Sequence, residues 1–265
     1  MKKISLNALL VSTSGFLATA SGVHAQSLPA PGQDDSGWRT ALSLYLFSPV
    51  RNWGDSTIGG NTVSVDLRFD DLIENLDFVG AGRMETWNGD FGIIADVNYA
   101  ALQKQSNLPG PGGLPYDIQI RQKWAAILGA YRVAQGTGGN GLPFTVDVQG
   151  GARWNSIKQT VQIGPLPTVG GNEDWIEPVI GLRGMWRLND KWTTVASADL
   201  GGFGAGGNDL QTSVSVGFDY QPWDNTAITF GYRYFSVDYS TTLTGGTFAY
   251  DMQQHGPYVG VKFFF

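Results

Sequence analysis

The chain contains no cysteine, and only two histidines stand among its 265 residues. Without cysteine it has no disulfide scaffold and no thiol chemistry. His24 and His255 lie near opposite ends of the sequence, so no zinc-binding spacing of histidines and cysteines exists. The sequence therefore predicts neither a metal site nor a cofactor.

Long apolar runs are also missing, except near the N-terminus. Beyond that region no stretch approaches about 18 consecutive apolar residues, so no membrane-spanning helix is predicted there. Charged residues make up only 15% of the chain, and acids outnumber bases, which gives a net charge of −6. This acidic balance argues against a nucleic-acid partner.

The N-terminus has the pattern of a secretory signal peptide. Lys2 and Lys3 precede a mostly apolar stretch at 4–20, and a small-x-small cleavage pattern ends at Ala25. Cleavage would remove two lysines and no acid, which changes the net charge from −6 to −8. The predicted organisation is a signal peptide, a flexible lead-in rich in Pro and Gly, and one folded domain, at 1–25, 26–37 and 38–265.

What the chain has in abundance is alternation of apolar and polar residues. Apolar or small side chains from Phe144 to Trp154 alternate with mostly polar ones from Thr145 to Asn155. Successive side chains of a strand point to opposite faces, so such a segment predicts a strand with one apolar and one polar face. Ten segments show this pattern, at 38–48, 77–88, 91–104, 117–134, 143–162, 175–187, 191–202, 210–221, 226–240 and 253–265.

Three details favour a membrane barrel over a soluble sandwich. The segments are long enough to cross a bilayer when tilted. Their polar faces carry charges, which suit an enclosed lumen. Aromatic rings prefer the headgroup level, and they cluster near segment ends at Trp87, Trp124, Trp154, Trp186, Trp192, Tyr220, Trp223, Phe263 and Phe265. The predicted fold is an all-β, antiparallel, up-and-down transmembrane β-barrel of about ten strands, with eight or twelve left open.

The connections follow the short–long rhythm of such barrels. With both termini on the inner side, the inner connections are short, such as the turn at 88–90, and most outer ones are longer. The outer connection at 203–209 is an exception, because it is short and rich in glycine. The connection at 49–76 is ambiguous, because 61–69 alternates like a strand and 70–76 predicts a short helix. An external hairpin, a plug in the lumen and two further strands stay open there. The other long outer connections are predicted at 105–116, 163–174 and 241–252, and any recognition is expected at 49–76, 105–116 and 241–252.

The signal peptide, the alternating segments and the last strand at 258–265 carry a family resemblance. Together they resemble the opacity-protein or outer-membrane-protein-A-like β-barrel superfamily. Four shorter stretches are similar to a group of proteobacterial outer-membrane barrels, at 65–72, 175–183, 199–204 and 230–235. The resemblance covers about 38–265. It implies an integral protein of the cell outer membrane, in contact with lipid and lipopolysaccharide, with no assigned catalytic residues.

The last strand is also the expected signal for the barrel-assembly machinery, and a monomer is expected. Its residues of interest are Tyr258, Val261, Phe263 and Phe265.

Twelve charged residues fall on the predicted polar faces and would converge inside a narrow barrel. Unpaired charges there are costly, so acids and bases should pair or stay hydrated. Two interpretations stay open: a structural ion-pair network that fills the lumen, or a charge-selective ring in a small passive channel. A barrel of about ten strands is narrow enough for side chains to fill most of its interior, which favours the ion-pair network. The candidates are Arg83, Glu85, Asp96, Asp147, Arg153, Glu177, Arg183, Arg187, Asp199, Asp219, Arg233 and Lys262.

An outer-membrane enzyme that modifies lipid or cleaves protein is the weakest hypothesis. Such hydrolases need a histidine beside a serine or an acid. Beyond the signal peptide only His255 is available, with Ser236 and Ser240 as conjectural neighbours. Asp70 and Asp71 are explained as the acidic start of a short helix. No catalytic residue is assigned, and the expected function is a structural or surface-interaction role, with a passive channel as the alternative.

Overall fold

The computed structural model describes residues 37–74, 76–107, 113–244 and 246–265, and almost all of them lie in antiparallel strands. The predicted signal peptide at 1–25 and the lead-in, apart from Gly37, lie outside the described residues. Ten strands form a closed ring in which the last strand pairs with the first. The predicted all-β barrel of about ten strands is confirmed. The described residues include no helix that is long and apolar enough to cross a membrane.

The elements follow one another around the ring in chain order, except for one hairpin outside it. They are β1 (Arg39–Phe47), β2 (Arg51–Ile58), β3 (Asn61–Arg68), α1 (Phe69–Glu74), β4 (Leu76–Asn88), β5 (Phe91–Asn107), β6 (Pro115–Thr137), β7 (Pro143–Ile163), β8 (Val169–Arg187), β9 (Trp192–Ala205), β10 (Asn208–Trp223), β11 (Thr226–Leu243) and β12 (Gly246–Phe264). Strands β2 and β3 form the hairpin, and the other ten form the ring.

The segment at 49–76 forms an external hairpin that continues the barrel wall. The C-terminal half of β12 pairs with β1, and its N-terminal half pairs with β2. Strand β3 pairs with β2, and α1 leads back towards β4. Of the three alternatives left open for this segment, the external hairpin matches the structure. We call this end of the barrel the hairpin end, and the opposite end, where Arg39 and Phe265 lie, the turn end.

The strands extend further towards the hairpin end than the sequence predicts. Each predicted segment matches one ring strand, but β8 begins at Val169 and β12 begins at Gly246. The predicted loops at 163–174 and 241–252 are therefore wrong, because paired strand runs through most of both. The side chains of β12 are apolar on the inside there, the reverse of the pattern that marks a membrane strand. Of the connection at 105–116, residues 108–112 lie outside the described residues.

The outward face of the ring carries an apolar belt. Ile127, Ile176, Val216 and Val259 lie on different sides of the ring, and each is at least half exposed, at 69%, 64%, 50% and 54%. On β7 the two faces are those predicted from the alternation.

For two of the aromatic residues near segment ends, the predicted outward position at the headgroup level is wrong. Trp87 is only 7% exposed, and Trp124 lines an internal cavity. Both lie inside the barrel because they share strand parity with inward residues, Glu85 and Gln122 respectively. Trp154 is exposed on the outward face as predicted.

Two paired glycines make room for an inward tyrosine. Gly217 and Gly231 lie opposite each other on β10 and β11. A Cβ atom on them would lie 2.2 Å and 2.6 Å from the hydroxyl of Tyr258, so the ring of Tyr258 covers a part of the wall without side chains. Of the predicted assembly residues, Tyr258 therefore faces the lumen, whereas Val261 and Phe265 face outward.

Candidate functional site in the barrel lumen

A layer of ion pairs crosses the lumen. Arg183 on β8 donates from Nη1 to both carboxylate oxygens of Glu85 on β4, at 2.7 and 2.6 Å, and from Nη2 to Asp147 at 3.0 Å. Arg83 donates to Glu85 at 2.8 Å and to Asp96 at 3.0 Å. Strands β4 and β8 are not neighbours in the ring, so the bonds between Arg183 and Glu85 span the lumen. The bonds from Arg183 to Asp147 and from Arg83 to Asp96 instead join neighbouring strands of the wall. We call this set the ion layer.

Arg132 completes the ion layer, and the sequence analysis missed it. Its Nε donates to Asp147 at 2.9 Å, and its guanidinium lies 5.0 Å from the ring centroid of Trp87. The other inward residues nearby on β6, Leu128 and Ala130, are apolar, so this face was not recognised as a lumen face. The sequence did contain a signal for Arg132. It is two residues after Ala130 and four after Leu128, so it lies on the same face of β6.

A second cluster surrounds Glu177, which is fully buried. Arg153 places Nη1 3.5 Å from Glu177 and donates from Nη2 to Asp199 at 2.6 Å. The Trp175 indole donates to Glu177 at 3.1 Å, and the amide of Asn208 donates to the same oxygen. A buried carboxylate with this many donors is satisfied within the wall, which is the behaviour of a structural ion pair.

Arg233 differs from the other inward arginines. Within the described part of the chain it forms no ion pair, and its guanidinium lies over the rings of Tyr45, Phe47 and Tyr258, at 5.2, 5.8 and 5.9 Å from their centroids. Its Nη2 lies 3.5 Å from the Tyr45 hydroxyl. Stacking on aromatic faces is a known way to hold a guanidinium in a dry place.

The remaining candidates lie nearer the turn end. Lys262 on β12 pairs with Asp219 on β10, inside the lumen. Arg187 instead donates to the backbone carbonyls of Asn189 at 3.0 Å and Asp190 at 2.6 Å. Of the predicted charged residues, Arg187 therefore belongs to the turn-end rim and not to the network.

Apolar side chains fill the lumen at the hairpin end. We call them the outer apolar cluster, which consists of Ile157, Trp175, Phe235, Val237, Tyr239, Phe248, Tyr250 and Met252. Trp175 and Tyr239 stack with centroids 4.0 Å apart, and Phe248 is 1% exposed. Burial raises the pKa of Tyr250 to about 12. Ser56 of the hairpin donates to Gln159 on β7 at 2.6 Å, so β2 reaches across the mouth.

Two small cavities lie on either side of the ion layer. One, of about 100 Å³, is lined by Arg83 and Trp124 and lies towards the outer apolar cluster. The other, of about 120 Å³, is lined by Glu85 and Arg183 and lies towards the turn end. Because Arg83 and Glu85 are bonded to each other, the ion layer separates the two cavities.

His255, the one histidine considered for catalysis, points out of the barrel. Its ring lies 5.4 Å from that of Trp53, and its Nδ1 shares a hydrogen bond with the hydroxyl of Tyr232. In the part of the chain that the structure describes, neither Ser236 nor Ser240 bonds to it. In the same residues no group of three or more His, Cys, Asp and Glu side chains is arranged to hold a metal ion.

Comparison with known proteins finds similar folds but no match by sequence. No model of a protein family matches the chain, and no curated protein matches it. The translocator domain of autotransporter NalP from Neisseria meningitidis is similar over 88% of this chain and 90% of its own, with 13% identity and a TM-score of 0.42. Neisserial surface protein A matches 86% of this chain and 97% of its own, with 10% identity and a TM-score of 0.32.

Ail, the attachment invasion locus protein of Yersinia pestis, also matches 86% of this chain and 97% of its own, with 8% identity and a TM-score of 0.34. The barrel fold itself rests on the closed, hydrogen-bonded ring of this chain.

Proposed function

We propose that the chain is an integral protein of the bacterial outer membrane, in which a closed barrel anchors an extended hairpin end that takes part in surface interactions. The observation that carries this proposal is the inverted arrangement of side chains: an ion layer inside and an apolar belt outside. A large exposed apolar surface is unfavourable in water. In lipid it is favourable, and in a closed ring every strand has a paired neighbour on both sides, so no edge strand faces the lipid.

The length of the strands supports the surface role. A tilted strand needs about 9–11 residues to cross a bilayer. Strand β6 has 23 residues and β7 has 21, so roughly half of each would stand beyond the membrane. That surplus lies at the hairpin end, where Arg51 and Asp66 of the hairpin form an exposed ion pair with N–O distances of 2.8 and 3.0 Å. This polar, rigid wall is the proposed site of contact with other surface molecules.

A small passive channel is the second candidate, and the two internal cavities favour it. The ion layer between them and the outer apolar cluster above them oppose it, because both would have to move before water formed a continuous path. The closed, anchoring barrel is therefore the first proposal.

Three measurements test these alternatives. The chain from Gln26 onward should require detergent or lipid to stay folded, and it should migrate differently on a gel before and after heating. In planar bilayers the folded protein should give no conductance steps. A protein that stays folded in plain buffer would refute the membrane proposal. Clear steps that change with Arg183→Ala or Arg233→Ala would favour the channel.

The proposed role includes no catalysis. What supports this is the position of His255 on the outward face, held by Trp53 and Tyr232. Assays of lipid and peptide hydrolysis with the folded protein should give only background rates, equal for the parent chain and for His255→Ala. A rate that the substitution abolishes would revive the enzyme hypothesis.

A further inference from the structure

The outward wall of β6 and β7 changes from apolar to basic towards the hairpin end. One register row is apolar and marks the edge of the belt. Its members are Val97, Ala125, Trp154 and Ile176, of which Val97, Trp154 and Ile176 are exposed. Two residues further towards the hairpin end, Lys123 lies in the next outward row. Arg121 and Lys158 lie in the row after that, and all three cations are exposed. We call these three residues the basic patch.

The basic patch contains a repulsive pair. Arg121 on β6 and Lys158 on β7 are directly opposite each other in the ladder. Like charges in directly opposed positions destabilise a sheet, because their Cβ atoms are only about 5 Å apart. Among the described residues none of the three cations forms an ion pair, and Lys123 contacts only the ring of Tyr99, at 5.7 Å. A wall with this arrangement favours an external anion between the two strands.

The nearest acid on this face does not fill that role. Asp174 on β8 lies opposite Ser156 and is therefore diagonal to Lys158. Its carboxylate accepts a hydrogen bond from Asn172 at 3.2 Å. It lies on the far side of Lys158 from Arg121, so the space between Arg121 and Lys158 is left to a ligand.

The opposite side of the ring has the opposite charge. Asp238 on β11 is directly opposite Asp251 on β12, which is opposite Asp55 on β2. These strands lie halfway around the ring from β6 and β7. The row of Asp238, Asp251 and Asp55 is therefore locally acidic, in contrast to the basic patch.

We infer that the basic patch binds the phosphate group of a glycolipid in the outer leaflet, with the acyl chains lying against the apolar wall formed by Ile127, Trp154 and Ile176. This inference rests on the proposed membrane location. A phosphate fits because its several oxygens accept bonds from Arg121 and Lys158 together, and its charge replaces their repulsion by attraction. A lipid fits because the apolar belt begins one row from Lys123 on the side of the turn end. The headgroup would therefore meet the basic rows, and the acyl chains would meet the apolar ones.

The test uses the chain from Gln26 onward, folded in a neutral detergent, with bisphosphorylated lipid A as the probe. Lipid adducts are titrated by native mass spectrometry. We expect saturable binding that is lost when both phosphates are removed from the lipid. The variant R121Q/K123Q/K158Q should bind about 100-fold more weakly, which is the product of roughly five-fold per cation. The charge-preserving variant R121K/K123R/K158R should bind like the parent chain, and D238N/D251N should do the same.

Three results would overturn the inference. Equal binding of the dephosphorylated lipid would mean that only the acyl chains are recognised. Full competition by millimolar inorganic phosphate would assign the patch to a free anion instead of a lipid. Lipid-independent oligomers that both R121Q/K123Q/K158Q and D238N/D251N disrupt would assign it to a second copy of the chain. A chain that needs no detergent would instead refute the membrane proposal itself, so the two failures are distinguishable.

Discussion

Arg183 and Glu85 are 98 residues apart in the chain and bonded across the lumen, with Nη1 at 2.7 and 2.6 Å from the two carboxylate oxygens. The pair joins β8 to β4, which the ring keeps separate. Both side chains are nearly buried, with exposures of 9% and 12%. A bond of this kind fixes the distance between opposite walls of the barrel, so its removal should lower the stability of the whole ring.

Arg183→Ala should therefore lower the free energy of unfolding by about 3–5 kcal/mol, because it leaves Glu85 and Asp147 as buried charges without their shared partner. The measurement is urea unfolding in lipid vesicles, followed by tryptophan fluorescence. Arg51→Ala is the matched control, since Arg51 makes a similar pair with Asp66 on the exposed hairpin. Equal effects of the two substitutions would contradict the bracing role of the ion layer.

Phe248→Ala should lower the free energy of unfolding by about 3–5 kcal/mol, which is the usual range for removing a buried phenylalanine ring. Phe248 is 1% exposed, and a Cβ on Gly171 would lie 2.9 Å from its ring, so the space around it is filled. Hydrogen exchange should rise mainly in the hairpin-end halves of β8, β11 and β12. Phe203→Ala, at a residue that is 52% exposed, is the control and should leave exchange unchanged. Uniform exchange across the barrel would argue against a separate outer apolar cluster.

Gly231→Ala should prevent normal folding of the barrel or destabilise it severely. A Cβ there would lie 2.4 Å from the carbonyl oxygen of Val216 and 2.6 Å from the Tyr258 hydroxyl, and the backbone atom cannot move aside cheaply. Gly129→Ala is a suitable control, because its nearest neighbour would be 3.9 Å away. The yield of the heat-modifiable folded form compares the two variants. Similar yields would mean that β10 and β11 do not approach each other this closely at Gly231.

Asp238 should make stability at the hairpin end depend on pH. Burial, and then the charges of Asp251 and Asp209, raise its pKa above the ordinary value of 3.8. The folded state thus binds the proton more tightly, and stability is lost as pH rises from 3.8 through the folded pKa. Asp238→Asn should therefore stabilise the protein at pH 7 and make no difference below that window. Melting temperature against pH for the two chains measures this.

Asp66 provides a comparison of opposite sign. The hydrogen bond from Arg51 lowers its pKa below 3.8, so its contribution is present above that value and lost as pH falls through the folded pKa. Asp66→Asn should accordingly destabilise the hairpin at pH 7. If both aspartate substitutions shifted the melting temperature in the same direction, the explanation from local charges would be wrong.

The sequence predicted the ring because strand alternation is a local property. On β7 the positions of Val148 and Arg153 follow from parity alone, and the burial of Glu177 and Arg183 follows in the same way on β8. The charged candidates were identified by this parity. The pairing of Arg183 with Glu85 was not predictable, because it depends on ring closure and on the stagger of strands far apart in sequence.

The hairpin end was predicted less well, for a physical reason. Beyond the belt the two faces exchange character, because outward positions such as Asp251 are polar and inward ones such as Phe248 are apolar. The reversed pattern does not match that of an apolar-out strand, so the sequence predicts a loop there. Trp87 was misplaced for a related reason, because proximity to a segment end was given more weight than its parity with Glu85.

One strand serves two partners: β12 holds β1 by one half and β2 by the other. A molecule that pulls on or tilts the hairpin therefore acts on the same stretch of backbone that closes the cylinder. A force applied to the hairpin would be transmitted along β12 to the pairing of β12 with β1, so this pairing is where strain should be sought.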